Sequence, residues 1–366
     1  MPLPPLAALP AHLVSSADYE RAARDHLDDN AWAYLQGGAA DELTLAANRR
    51  AFDALGLWPR PLRRLPGGHT RLCLLGQAFA HPLLLAPLAW QRLFHAEGEL
   101  ATVRAAAVTD TGIVVSTLAS TPLADIARAA RAPLWFQLYW QGDRARTEAL
   151  LHLAVAAGYQ AVVFTVDAPV AGIRNREQRL RFALPPGVAA VNLPPSPPPP
   201  AGLGNLLFDH LMATAPAADD LAWLCAHSPL PVLVKGLLHP ADAAQAMAAG
   251  AAGVIVSNHG GRVLDGAPTA IAALPAVVAA VAGRGPVLLD SGIRRGSDAF
   301  KALALGATAV LVGRPAMHAL AVAGALGVAH LLRTLREELE ITMALCGCAT
   351  LADIGPDCLW QAPSPS

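Results

Sequence analysis

The sequence predicts an α/β fold in which eight parallel strands close into a barrel, and two observations support this prediction. First, from residue 83 onward, eight short apolar runs alternate with alanine-rich helical stretches. Second, polar residues follow the carboxyl ends of these runs, where barrel enzymes build their active sites. We therefore predict a TIM (β/α)8 barrel, with an open doubly wound sheet as the alternative.

The predicted strands are continuously apolar, as expected for a parallel sheet that helices cover on its outer face. Each run precedes a segment with helical composition, and eight such units close naturally into a barrel. The runs are Leu83–Ala86, Ile113–Ser116, Leu134–Leu138, Ala161–Val166, Val232–Lys235, Gly253–Ser257, Val287–Asp290 and Ala309–Gly313.

Two segments fall outside this repeat within the single domain that we predict for residues 1–366. Residues 1–80 should form a helical extension, with one helix from a cap at Ser16 through Leu35 and a second from about Asp41 to Ala54. Residues 183–216 form a proline-rich loop after the fourth strand, because consecutive prolines exclude a regular helix or a central strand. This loop could be a lid or a disordered insertion.

Composition limits the classes of function. The chain is 54% hydrophobic and 15% charged, with a formal net charge of -1, which favours a large core and argues against nucleic-acid binding. No lysine or arginine precedes Arg21, so we expect no secretory signal. The purest apolar stretch, Ala270 to Gly283, is too short to span a membrane, so we expect no membrane span. Five scattered cysteines are typical of a reducing cytoplasm, and we interpret Cys346 and Cys348 as structural thiols.

The segment from Ser257 to Asp265 carries the chemistry, since it places His259 three positions before Arg262, directly after a predicted strand. His259 could act as a base, and Asp167 could hydrogen-bond its ring and stabilise the imidazolium. Arg262 and Arg174 could hold a substrate carboxylate in bidentate geometry. A structural histidine or a metal site is the alternative, although no second histidine lies at ligand spacing.

Two later loops indicate a phosphate site. Gly292 and Arg294 follow the seventh strand, and Gly313 and Arg314 follow the eighth, where barrels commonly bind phosphate. The chain has no Gly-x-Gly-x-x-Gly motif and no Walker lysine loop. A mononucleotide such as FMN is therefore the better candidate.

Lys235 ends the fifth strand, where a buried ammonium needs an anionic partner. The reduced flavin could be that partner, which would raise the flavin's electron affinity. A Schiff-base lysine and a structural salt bridge are the alternatives.

With these motifs in place, the chain resembles the FMN-dependent 2-hydroxy-acid oxidase and dehydrogenase family almost from end to end. The motifs that carry the resemblance are Tyr34 with Gly37-Gly38 and Asp41-Glu42, Ala86 to Ala89, Glu97 to Glu99, Trp135 to Tyr139, Thr165 to Asp167, Lys235-Gly236, the His259 segment, Asp290 to Gly296 and Gly313 to Pro315.

The resemblance implies roles for a set of individual residues. His259 would be the base, oriented by Asp167, and it would take either the α-proton or the hydroxyl proton of the substrate. Substrate would be bound by Tyr34, Tyr139, Arg174 and Arg262. FMN would be held by Pro87, Leu88, Ala89, Ser116, Gln137, Thr165, Lys235, Ser257 and Asp290, with its phosphate at Gly292, Arg294, Gly313 and Arg314.

The departures from the family pattern concern specificity. Leu118 stands where several relatives that oxidise small acids have a bulky aromatic residue, so the substrate pocket should accept a larger side chain. The residues from Gln91 to His95 resemble the hydroxymandelate-oxidising members. The sequence thus favours aromatic or branched (S)-2-hydroxy acids, with lactate also open.

The resemblance also bears on the electron acceptor and the assembly. Oxygen is the expected acceptor, and a membrane-linked dehydrogenase that uses quinone or a cytochrome is the alternative. Ala183 to His210 contains no lysine or arginine that could meet anionic lipid. A flavin-binding protein without turnover is the alternative of another class. The resemblance also suggests a tetramer.

Overall fold

The computed structural model describes residues 2–195, 200 and 202–360. The middle of the predicted proline-rich loop, residues 196–199 and 201, lies outside these ranges, so the prediction for that part stays a prediction.

The eight predicted strands form a closed parallel barrel, which confirms the predicted fold. Their hydrogen-bonded order is β10-β11-β4-β5-β6-β7-β8-β9, and the last strand pairs with the first. The barrel strands are β4 Leu83–Leu85, β5 Gly112–Val115, β6 Leu134–Leu138, β7 Val162–Thr165, β8 Val232–Leu237, β9 Gly253–Val256, β10 Val287–Leu289 and β11 Ala309–Val312. Four short strands lie outside it, namely β1 Gly56–Leu57, β2 Leu72–Leu74, β3 Gln77–Phe79 and β12 Leu359–Trp360.

Helices precede the barrel and follow its strands. The α-helices are α1 Ser16–His26, α2 Asp29–Gln36, α3 Leu43–Asp53, α4 Glu99–Val108, α5 Leu123–Ala129, α6 Arg144–Ala156, α7 Asn175–Arg179, α8 Ala218–His227, α9 Pro240–Ala248, α10 Ala270–Val281, α11 Gly296–Ala304 and α12 Arg314–Cys346. Short 3₁₀ turns are Gln91–Leu93, Leu351–Asp353 and Pro356–Cys358, and Leu207–Leu211 is a π-helical turn.

Alternate residues of each barrel strand point into the cylinder and form one apolar cluster. The β2–β3 hairpin closes the amino-terminal end of this cluster. Its Phe79 ring packs edge-on against Trp135, with centroids 5.8 Å apart, and Gln77 accepts a hydrogen bond from the Trp135 indole at 3.0 Å. Ligands must therefore enter from the opposite, carboxyl-terminal end.

The helical extension differs in one respect from the prediction. The segment from Ser16 to Leu35 is two helices, α1 and α2, because the chain is extended at Leu27 and the Asp28 side chain caps α2. Ser15, one residue earlier than predicted, caps α1. The predicted second helix is α3, which brings Asn48 to within 2.9 Å of Asn258 in the loop after β9.

The last helix, α12, is long and apolar enough to cross a membrane, yet 78% of its most apolar stretch is buried inside the protein. It is also broken in the middle, at Ala323 and Gly324, whose backbone angles are not helical. Its burial is that of a core helix. The predicted structural thiol Cys346 ends this helix, and Cys348 Sγ lies 3.7 Å from Cys358 Sγ.

Candidate active site

A cavity of about 900 Å³ opens at the carboxyl ends of the barrel strands. Every site residue predicted from the sequence lines it except Asp167 and Ser257. These two lie behind the wall, where each contacts a residue that does line the cavity. The fold thus collects side chains from across the sequence at one opening, as expected of a barrel rim.

His259 and Asp167 form a hydrogen-bonded pair at this rim. His259 Nδ1 lies 2.9 Å from Asp167 Oδ1, so Nδ1 carries the proton and Nε2 is left as the acceptor. Burial acts to raise the pKa of Asp167, but the charge and hydrogen bond of His259, with the charge of Lys235, hold that pKa below its usual value. The arrangement suits a base whose protonated form is stabilised by a fixed carboxylate.

The backbone around His259 is held in an unusual conformation. His259 itself has φ +56°, followed by positive φ at Gly260 and Gly261, and the Ser257 hydroxyl accepts a hydrogen bond from the His259 N–H at 3.0 Å. At Gly261 a Cβ would lie 2.6 Å from the backbone nitrogen of Leu45. Glycine is therefore required at position 261, where this loop packs against α3, and at position 260, where a Cβ would lie 2.8 Å from Arg314 Nη1.

Arg174 and Arg262 come together on a shared carboxylate, that of Glu177. Arg262 Nη2 donates to Glu177 Oε1 at 2.9 Å, and Arg174 Nη1 lies 3.4 Å from Glu177 Oε2. Arg262 Nη1 also donates to the backbone oxygens of Tyr34 and Gly37, and the guanidinium lies over the Tyr34 ring. Burial and the neighbouring Arg174 charge lower the pKa of Arg262.

Tyrosines complete the wall around these cations. Tyr139 OH lies 3.4 Å from His259 Nε2, and burial raises the pKa of Tyr139, so its hydroxyl keeps its proton. The Tyr34 ring stacks on Phe182 with centroids 4.9 Å apart. Burial also raises the pKa of Tyr34.

Lys235 is buried within β8, next to Gly236, whose backbone lies close to Asp167. Its Nζ lies 2.9 Å from Asp290 Oδ2 and donates to the Ser257 hydroxyl at 3.0 Å. Burial acts to lower the pKa of Lys235, but the charges of Asp290 and Asp167 raise it overall. The structural salt bridge that was the alternative for Lys235 is therefore present, with Asp290 as its partner. Ser257 does not line the cavity, but its hydroxyl joins this ion pair by donating to Asp290 Oδ2 at 2.6 Å.

Arg294, which is partly buried, and Arg314, which is buried, bring further positive charge to the cavity lining. Arg314 donates to the backbone oxygens of Leu35, Gly260 and Gly37. Burial, together with the charges of Arg262 and Arg294, lowers the pKa of Arg314 to about 9. Cations that lower one another's pKa in this way favour the binding of an anion. A phosphate has the negative charge that would compensate them.

The cavity wall also fits the flat, polar ring of a flavin. Gln137 Nε2 and Thr165 Oγ1 are buried and have no hydrogen-bond partner among the residues that the structure describes. Such groups are costly unless a ligand satisfies them. Together with Lys235, Arg294 and Arg314, which also line the cavity, they fit the polar edge and the phosphate of FMN.

Sequence reasoning missed two features of this site. Glu177 was not predicted, although it lies on α7 three residues after Arg174, the residue that precedes this helix, and pairs with it. Apolar side chains of the loop after β7 also reach the cavity, including Leu206 and Leu211. Within the described ranges, no cluster of three or more His, Cys, Asp or Glu could hold a metal ion.

Comparison with known proteins adds four findings. The profile of the family described as FMN-dependent dehydrogenase matches residues 23–361. The chain is 53% identical to an L-lactate oxidase of Roseobacter sp. (strain GAI101), over 94% of each chain. It is 46% identical to a 4-hydroxymandelate oxidase of Amycolatopsis orientalis, over 92% of this chain and 96% of the other. A solved mandelate oxidase with (S)-2-phenylpropionate superposes with a TM-score of 0.85 at 46% identity, covering 93% of this chain and 96% of the other.

Proposed function

The chain belongs to the FMN-dependent dehydrogenase family, and we propose that it oxidises an (S)-2-hydroxy acid to the 2-oxo acid, with oxygen as the acceptor and hydrogen peroxide as the second product. The observation that carries this proposal is the joint position of a histidine–aspartate pair and two arginines on one cavity that fits a flavin. The histidine–aspartate pair supplies a base, and the two arginines supply a site for a carboxylate.

FMN would be held along both walls of the cavity. Gln137, Thr165 and Lys235 would contact the ring, as would the backbone from Pro87 to Ala89 and Ser116. Gly292, Arg294, Gly313 and Arg314 would surround the phosphate. When bound, FMN supplies the electron acceptor to which the substrate gives its two electrons.

His259 would receive the proton that leaves the substrate. Its Nε2 faces the cavity as an acceptor because Nδ1 is engaged with Asp167. Asp167 would then stabilise the imidazolium without taking the proton itself. The same geometry serves for a proton taken from the α-carbon or from the hydroxyl group.

The substrate carboxylate would lie against Arg174 and Arg262. Arg262 still has its Nε–H and one Nη2–H available after its bonds to Tyr34, Gly37 and Glu177. Two parallel N–H groups match the two oxygens of a carboxylate. Tyr139 would donate its hydroxyl proton to the substrate, near the base.

The apolar part of the cavity lining favours substrates with aromatic or branched side chains. Leu118 lines it with Trp140, Leu206 and Leu211, a set that is apolar and lacks a bulky ring at position 118. Lactate is the second candidate, favoured by the 53% identity to an L-lactate oxidase. We further propose a cytoplasmic homotetramer, which rests on the family resemblance and on the cysteine content.

The experiment that tests this function is anaerobic mixing of the yellow holoenzyme with single acids. We expect (S)-lactate, (S)-mandelate or a branched (S)-2-hydroxy acid to bleach the flavin, and admitted air to restore the colour with formation of hydrogen peroxide. Slow recovery in air, with fast recovery on adding a quinone, would instead favour the dehydrogenase alternative. A flavin that no acid bleaches would leave only the non-catalytic alternative.

A substitution at Leu118 tests the substrate size. Leu118→Phe adds a ring to the apolar wall and should lower kcat/KM for mandelate by about 10-fold or more, since overpacking of a filled site costs about 1–3 kcal/mol. The kcat/KM for lactate should change less than about threefold. Leu118→Met keeps the volume and is the matched control. Equal losses for both acids would show that Leu118 does not limit substrate size.

A further inference from the structure

The charge balance of the carboxylate site depends on one residue that has no assigned role. Glu177 lies on α7, and its side chain is 13% exposed, as is that of Arg262. It contacts both arginines and is not part of the cavity lining. Glu177 is thus placed behind the two cations, on the side away from a bound acid.

The hydrogen bonds show which edge of Arg262 is left for the substrate. Nη1 is committed to the backbone oxygens of Tyr34 and Gly37, and Nη2 donates one bond to Glu177. Among the described residues, Nε has no acceptor. The donors that remain are Nε–H and one Nη2–H, and two such donors can bind the two oxygens of a carboxylate.

Arg174 is held less tightly and by fewer groups. Its Nη1 lies 3.4 and 3.5 Å from the two Glu177 oxygens, and its Nε donates to the backbone oxygen of Arg262 at 3.4 Å. Without an anion between them, the two guanidinium groups would repel each other in a site of low polarity. Glu177 is the only acidic side chain in the described residues with an ion pair to either arginine.

We propose that Glu177 is a positioning residue that holds Arg174 and Arg262 together and turns their free N–H groups toward the carboxylate of the substrate. This inference rests on the proposed function, because it assigns the two arginines to substrate. Glu177 acts from behind, so it affects the binding of the acid and leaves the proton transfer to His259 unchanged.

Glu177→Gln tests this role, because the amide keeps the size of the side chain and removes its charge. We expect KM for the best 2-hydroxy acid to rise about 10-fold, with kcat at saturation falling less than about threefold. The dissociation constants of pyruvate and benzoylformate, measured by flavin absorbance on the oxidised holoenzyme, should rise by the same factor. Glu177→Asp keeps the charge and should recover most of the affinity.

Glu42→Gln is the matched control. Glu42 pairs with Arg176, the neighbour of Glu177 in sequence, at 2.6 Å, and neither residue lines the cavity. Glu42→Gln removes an equal charge from the same region. It should leave KM and both dissociation constants within about twofold of the wild-type values. FMN content and Tm, measured for all variants, should be similar.

Three results would overturn the proposal: unchanged or tighter binding of both oxo acids by Glu177→Gln, equal weakening by Glu42→Gln, or a loss in kcat as large as the rise in KM. A wild-type holoenzyme that binds neither oxo acid would also overturn it. Failure of the proposed function has a different signature, namely a flavin that no 2-hydroxy acid reduces.

Discussion

His259→Ala is expected to keep bound FMN and its yellow colour while the anaerobic rate of flavin reduction falls by at least ~100-fold, the usual effect of losing a positioned base. The reason is that Nε2 of His259 is the acceptor that the Asp167 contact leaves free on the cavity side. The measurement is stopped-flow absorbance with saturating acid, so that weaker binding does not hide the loss.

His259→Asn separates the loss of the base from backbone strain. His259 has φ +56°, a conformation in which asparagine is enriched and alanine is not. Both variants should therefore lose reduction equally, although the asparagine variant should be the more stable. Reduction at the wild-type rate in either variant would remove His259 from the role of base.

Lys235→Met is expected to lower the free energy of unfolding by about 3–5 kcal/mol, as found when one partner of a buried ion pair is removed. Lys235 is only 4% exposed and Asp290 8% exposed, and their atoms lie 2.9 Å apart. The variant leaves the Asp290 carboxylate buried beside the Ser257 hydroxyl alone. Urea titrations at several FMN concentrations, extrapolated to zero FMN, measure the change and separate it from weaker FMN binding.

The double variant Lys235→Met with Asp290→Asn provides the control. Removing both charges at once should recover about half of the loss or more, because no uncompensated ion is then buried. If the double variant is as unstable as the sum of the two single variants, Lys235 and Asp290 do not act as a pair.

The sequence predicted the parts of the structure that are repeated or local. Each barrel strand is a continuous apolar run, so all eight were located to within two residues of their observed ends. The glycines after His259 indicated a sharp turn because few other residues adopt positive φ. These signals are present within a few neighbouring positions.

The features that the sequence did not predict depend on distant contacts. Glu177 is notable only once folding brings Arg262, 85 positions away, to the same carboxylate. The β2–β3 hairpin has strands of three residues, which is too short for a periodic pattern. The break between α1 and α2 rests on one capping residue, Asp28, inside a stretch with helical composition throughout.

The β2–β3 hairpin also constrains the order of events during turnover. Because Phe79 and its neighbours fill the amino-terminal end of the cylinder, the 2-hydroxy acid and the 2-oxo acid both exchange at the carboxyl-terminal end. The next 2-hydroxy acid can bind only after the previous 2-oxo acid has left. Because both acids carry a carboxylate for Arg174 and Arg262, accumulated 2-oxo acid should behave as a competitive inhibitor and slow turnover in a concentrated reaction mixture.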